Sequence, residues 1–210
     1  MPPEPLSQET LAQGAAFLSR VDPDLARIDA QLGHPPLWAR QPGFPTLVHI
    51  ILEQQVSLAS ARAAFIKLQA KTLKVTPETF LALDNDELKQ IGFSRQKAGY
   101  CRELARLLRS GEIDLDALEA MDDPAARSVL MRIKGIGPWT ADIYLLMGLL
   151  RPDIWPGGDL AIAAALQELK GLPSRPGPAE LEQIALPWRP WRAVAARLLW
   201  QYYLRERSTP

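Results

Sequence analysis

Nowhere in this chain do apolar and polar residues alternate over the length of a strand, whereas apolar residues recur at helical spacing in segment after segment. The fold expected is all-α. Helix starts are written into the sequence. Ser7 with Thr10, and Asp22 with Pro23, open helices over Ser7–Arg20 and Asp22–Leu32, and Gly33-His34-Pro35-Pro36 closes the second. Thr76-Pro77-Glu78-Thr79 and Asp84-Asn85-Asp86-Glu87 carry the capping-box pattern and set up short helices to Leu83 and Ile91. Further helices are predicted from Thr46 to about Val56, Leu58 to Lys71, Gly92 to about Ser110, near Ala179–Ala185, and from Trp191 to Arg207. Gln41-Pro42-Gly43-Phe44-Pro45 is turn-rich and reads as a boundary, giving a middle lobe over 44–150 and a second lobe from 1–43 with 151–210.

The densest information lies between Leu130 and Ala165. Leu130 and Ile133 lead at helical spacing into Lys134-Gly135-Ile136-Gly137-Pro138-Trp139-Thr140-Ala141, after which helical period resumes. Two glycines two apart permit a tight turn and close approach of a ligand to the backbone. Pro138 suits the first turn of the new helix. A helix–hairpin–helix results, whose free amides at a helix N-terminus favour a phosphate. Some twenty residues on, Trp155-Pro156-Gly157-Gly158 turns the chain into Asp159, just ahead of another helical run. An aspartate there serves equally as a helix N-cap.

Composition removes other classes. No apolar run approaches a membrane span, Met1-Pro2-Pro3-Glu4 begins nothing like a signal peptide, and a cytoplasmic protein is expected. The formal net charge is +0, so nucleic-acid binding would have to rest on local patches. The single cysteine, Cys101, forms no internal disulfide or cysteine cluster and reads as a buried hydrophobe in an amphipathic helix. His34 reads as a loop residue and His49 as a packing one, and two histidines argue against a His-based metal site. Arg95 and Lys97, at a helix start, are candidates for a phosphate contact or for a solvated face. The acidic run from Glu112 to Asp123 would repel DNA.

The hairpin from Gly135 to Ala141, the Gly158-Asp159 pair and a late Pro190-Trp191-Arg192 together resemble the helix–hairpin–helix (HhH-GPD) DNA glycosylase superfamily, in its 3-methyladenine DNA glycosylase II (AlkA-type) branch. The resemblance covers roughly residues 40 to 206. The hairpin by itself also occurs in non-catalytic DNA-binding modules. The resemblance implies two helical lobes flanking a DNA-binding cleft, and a monofunctional glycosylase that hydrolyses the N-glycosidic bond of flipped-out alkylated bases in duplex DNA. It further implies Asp159 as the catalytic carboxylate, with Trp139, Trp200 and Tyr144 around the base. Gly135, Gly137, Thr140 and Lys134 would hold the phosphate, and Gln55 or Gln54 would be the wedge entering the stack. Relatives that also cut the backbone place a lysine nucleophile where Trp139 stands. No organic cofactor and no iron–sulfur cluster is implied. A monovalent Na+ or K+ could sit on the carbonyls of Met131, Ile133 and Ile136 when DNA is bound, and a monomer is expected. The N-terminal β-domain that many AlkA-type enzymes carry has no room in this chain.

Overall fold

The computed structural model describes residues 3–206, except for the side chain of Glu206; Met1, Pro2 and the residues from Arg207 on, where the last predicted helix was to end, lie outside it. Among the described residues the chain forms α-helices and two short 3-10 turns, with no strand. It divides into two units, Arg40–Tyr144 and a second made of Pro3–Ala39 with the chain from Leu145 on; the cuts expected were before 44 and after 150. Among the described residues no helix is long and apolar enough to cross a membrane.

The first unit is built around α3 (Phe44–Glu53), which buries Phe44, Leu47, Val48, Ile50, Ile51 and Leu52. A helix apolar nearly all round must sit inside. It begins two residues earlier than expected because Pro45 falls in its first turn, where proline's missing N–H is harmless. It ends at Glu53 rather than Val56, since Gln54 leaves helical geometry. Around it lie α4 (Leu58–Thr72), α5 (Pro77–Leu81), α6 (Asn85–Ile91), α7 (Arg95–Ser110), α8 (Asp123–Met131) and the start of α9 (Pro138–Met147). Capping boxes at Thr76 and Asp84 start α5 and α6, and Ser94 caps α7. One face of α7 buries Ala98, Cys101, Leu104 and Ala105. Phe80 meets Phe44 and Phe93 edge-on, with ring centroids 5.9 and 5.4 Å apart.

In the second unit, α1 (Gln8–Val21) and α2 (Pro23–Leu32) start at Ser7 and Asp22, both of which cap through their side chains. With α10 (Leu160–Leu169) they pack on α12 (Arg192–Glu206), while α11 (Pro178–Ala185) leads into the turn Leu186–Trp188. Residues Ala193 to Leu199 of α12 are buried. Gly14 allows α1 to approach α12 closely, since a Cβ there would stand 2.9 Å from the Trp191 ring. Trp188 is a core residue whose indole N–H donates to Asp22 Oδ2 at 3.1 Å.

Candidate active site and DNA grip

Between α8 and α9 the chain makes the turn its glycines permit. Gly135 has φ 89°, and a Cβ on it would stand 2.2 Å from Cγ of the Tyr100 ring, so both conformation and space demand glycine. Gly137 has no atom within 4 Å of an added Cβ, which leaves its backbone open to approach. The Ile136 N–H closes the turn on the Ile133 carbonyl at 3.0 Å, and buried Ile133 and Ile136 root it in the core. The Ala141 N–H makes the first helical bond, to the Gly137 carbonyl at 3.0 Å. The Thr140 amide therefore belongs to the opening turn of α9, whose N–H groups an α-helix leaves for a cap or a ligand. Lys134 stands exposed on the turn. The guanidinium of Arg127 in α8 meets the Asp142 carboxylate in α9 at 2.8 and 2.9 Å, bracing the two helices across the turn. The Met131 and Ile133 carbonyls lie at the C-terminal end of α8, where peptide dipoles concentrate negative charge.

The junction between α3 and α4 meets this hairpin. Gln54, one of the two wedge candidates, turns toward the hairpin: its Nε2 donates to the Gly135 carbonyl and to Thr140 Oγ1, both at 2.9 Å, so its amide protons are engaged inside the protein. Gln55, next to it, is exposed and has φ 55°, a left-handed conformation uncommon outside glycine. Ser57 caps α4, accepting from the Ser60 amide at 3.2 Å. Lys97 turns inward, donating to the Leu52 carbonyl at 2.7 Å, and burial lowers its pKa; it closes the end of α3 rather than facing a phosphate. Tyr144 is likewise corrected. It is fully buried, its hydroxyl accepts the Gly43 N–H at 2.8 Å, and burial pushes its phenol up to about 12, so it packs in the core and offers no wall to a base. Trp139 is half-buried.

In the second unit the Asp159 amide folds back on the Pro156 carbonyl at 2.9 Å, and Asp159 then caps α10. Its Oδ1 accepts from the amides of Ala161 at 2.9 Å and Ile162 at 3.0 Å, and from Trp200 Nε1 at 3.2 Å. A carboxylate is electrostatically matched to this helix end, where the dipole is positive. Cap and candidate catalyst are thus the same side chain, 7% exposed and held in one orientation. Trp200 is 8% exposed, so its main visible work is to hold the acid. The Pro190-Trp191-Arg192 block acts here too: Arg192 grips Asp153, ahead of the Asp159 turn, with Nε–Oδ1 and Nη2–Oδ2 both at 2.9 Å.

Trp38, absent from the candidates drawn from sequence, meets Trp200 edge-on with ring centroids 6.3 Å apart. It has φ 46°, a strained conformation for so bulky a residue. The preceding carbonyl, of Leu37, accepts from Arg197 Nε at 2.9 Å. Arg197 is fully buried, donates also to the carbonyls of Ala193 and Leu146, and is pushed down to about 10 by desolvation. Among prolines and without helical period, Trp38 carries no local signal of this placement.

A DNA-3-methyladenine glycosylase of Bacillus subtilis is 33% identical over 171 residues, which cover 75% of this chain and 56% of the relative. DNA-3-methyladenine glycosylase 2 of Escherichia coli is 28% identical, with 94% of this chain and 73% of the relative covered. The chain spans about half the length of the Bacillus subtilis relatives it matches, 44% and 56%. Among solved structures, the Schizosaccharomyces pombe 3-methyladenine DNA glycosylase Mag1 in complex with abasic DNA superposes with a TM-score of 0.84 at 26% identity, covering 90% of this chain and 95% of that one. The sequence profile of the HhH-GPD superfamily matches residues 48–190, the hairpin and Asp159 included, and the chain belongs to that superfamily of base excision DNA repair proteins.

Proposed function

We infer that this protein is a monofunctional DNA glycosylase that hydrolyses the N-glycosidic bond of flipped-out alkylated bases, of the 3-methyladenine and 7-methylguanine type, and leaves an abasic site. The observation that carries this reading is the Asp159 carboxylate, fixed by the first amides of α10 and the Trp200 indole. As the base departs, positive charge develops on the sugar around C1′. A preorganised carboxylate stabilises that charge without reorganising, and orients or deprotonates the attacking water. The C1′–N bond breaks with its electron pair going to the cationic base, which leaves neutral. The water oxygen bonds C1′ and its proton passes by way of the carboxylate to solvent, giving an abasic sugar and a free base. A base already cationic through N-alkylation is a good leaving group and needs little acid assistance.

Trp139 supports the absence of lyase chemistry, because an indole cannot form the Schiff base that a lysine forms at C1′. Its face attracts a cationic base by about 0.5–2 kcal/mol. The amides of Gly135, Gly137 and Thr140, with Lys134, grip a phosphate without reading sequence. A Na+ or K+ ion held by the carbonyls of Met131, Ile133 and Ile136 would add positive charge beside that phosphate. Gln55 is the residue placed to enter the stack, and a damaged, weakly paired base is cheaper to extrude. The partner is duplex DNA carrying the lesion, and the protein acts as a cytoplasmic monomer. Incubation of the purified protein with dimethyl-sulfate-treated duplex, followed by chromatography of released bases, tests the reading. Release of methylated purines is expected, and is lost in Asp159→Asn; no release by the wild type overturns it.

A further inference from the structure

Gln54 and Gln55 are consecutive, yet one is tied down and the other is exposed. The Gln54 amide has two protons, and both are engaged, one by the Gly135 carbonyl and one by Thr140 Oγ1. These acceptors bracket the phosphate-gripping turn, one at its glycine of positive φ and one in the first turn of α9. The Tyr100 ring fills the space where a Cβ of Gly135 would lie, so the glycine has no freedom on that side. Gln54 is also the last residue before the chain enters the left-handed conformation of Gln55, with ψ 121° at the one and φ 55° at the other. Exposed Val56 and Leu58 follow, 47% and 58% accessible, so these two side chains add no anchor to the one Gln54 provides at the junction.

We propose that Gln54 is a positioning residue that locks the wedge, Gln55, to the hairpin, so that the grip on the phosphate sets how far Gln55 enters the helix stack. This rests on the glycosylase reading above. The hairpin and the wedge address different parts of the DNA, one the backbone and the other the base stack. Two hydrogen bonds from one planar amide fix distance and orientation together, which a single contact does not. Removing them leaves each part folded but lets the junction shift relative to the turn, and displacements of that kind are costly in a site that depends on placement.

The test uses a duplex with a tetrahydrofuran abasic analogue and 2-aminopurine opposite it. Fluorescence of the 2-aminopurine reports entry of the wedge, and anisotropy on an undamaged duplex reports the grip. Wild type, Gln54→Met, Gln55→Ala and the double variant are compared, with thermal melts as a check on folding. Gln54→Asn, which keeps an amide on a shorter arm, replaces Gln54→Met if that variant does not fold. The expected result is loss of the fluorescence change in Gln54→Met with affinity for undamaged DNA kept. The double variant should be no worse than Gln55→Ala, a coupling of about tenfold between the two positions. Additive effects, or a fall in affinity with the fluorescence change of the bound complex intact, overturn the proposal and leave Gln54 as support for the hairpin alone. If the wild type itself binds the duplex without any fluorescence change, the wedge and this proposal fall, while the glycosylase reading is decided separately by base release from methylated duplex.

Discussion

The side-chain amide of Gln54 donates to the carbonyl of Gly135 at 2.9 Å, joining positions 81 residues apart in the chain. The turn is thereby held on one side by Gln54 and on the other by the Tyr100 ring. The two glycines of the hairpin should consequently respond differently to substitution. Gly135→Ala meets both a positive φ and the Tyr100 ring, and should lower stability by about 2–4 kcal/mol in urea melts. Gly137→Ala meets nothing within 4 Å, so its melt should stay close to wild type while DNA affinity at moderate salt falls. A Gly137→Ala variant that binds DNA as the wild type does would place the phosphate elsewhere.

Trp200 donates to Asp159, the acid proposed to act at the sugar, and phenylalanine keeps most of the ring without the N–H. Trp200→Phe should reduce single-turnover base release about ten- to hundredfold, the range for one hydrogen bond to a charged group, with affinity for abasic DNA unchanged. The amides of Ala161 and Ile162 continue to hold Asp159 in this variant, so the loss should remain smaller than in Asp159→Asn.

At position 139 stands an indole, where a resemblance to backbone-cutting relatives would call for an amine. Borohydride should trap no covalent complex with abasic DNA, and products should remain uncut until treated with alkali. Trp139→Leu should weaken excision of cationic lesions more than that of neutral ones, by the factor that about 0.5–2 kcal/mol implies. Equal losses on both would remove the cation–π account.

His49 stacks on Phe65 with ring centroids 4.4 Å apart, and burial lowers its pKa from 6.5 despite the nearby Glu53. The unfolded chain therefore binds the proton at a higher pH than the folded one does. Stability from this residue is complete above about 6.5 and declines as pH falls toward and through the lower folded value. Urea melts at pH 7.5 and 5.5 should show a smaller loss in His49→Gln than in the wild type.

Much of this architecture was legible because its causes are local. Ser7, Asp22, Thr76 and Asp84 each cap a helix by bonding an amide two or three residues ahead, a distance a sequence pattern spans. The hairpin glycines and Asp159 were readable for the same reason: a turn and a helix cap are decided by neighbouring residues. Other features depend on pairs that meet only when the chain is folded. Gln54 reads as a wedge until its amide is found on Gly135, and Tyr144 reads as a pocket wall until its hydroxyl meets Gly43, 101 residues away. Trp200 reaches Asp159 across 41 residues, and Arg197 holds the segment leading into Trp38 across 160. Periodicity and caps determine which segments are helices and where they start, since backbone hydrogen bonding within a helix is short-range. Which polar side chain is left to face a ligand is decided by packing, because a buried amide, phenol or guanidinium must find its partner wherever the fold brings one.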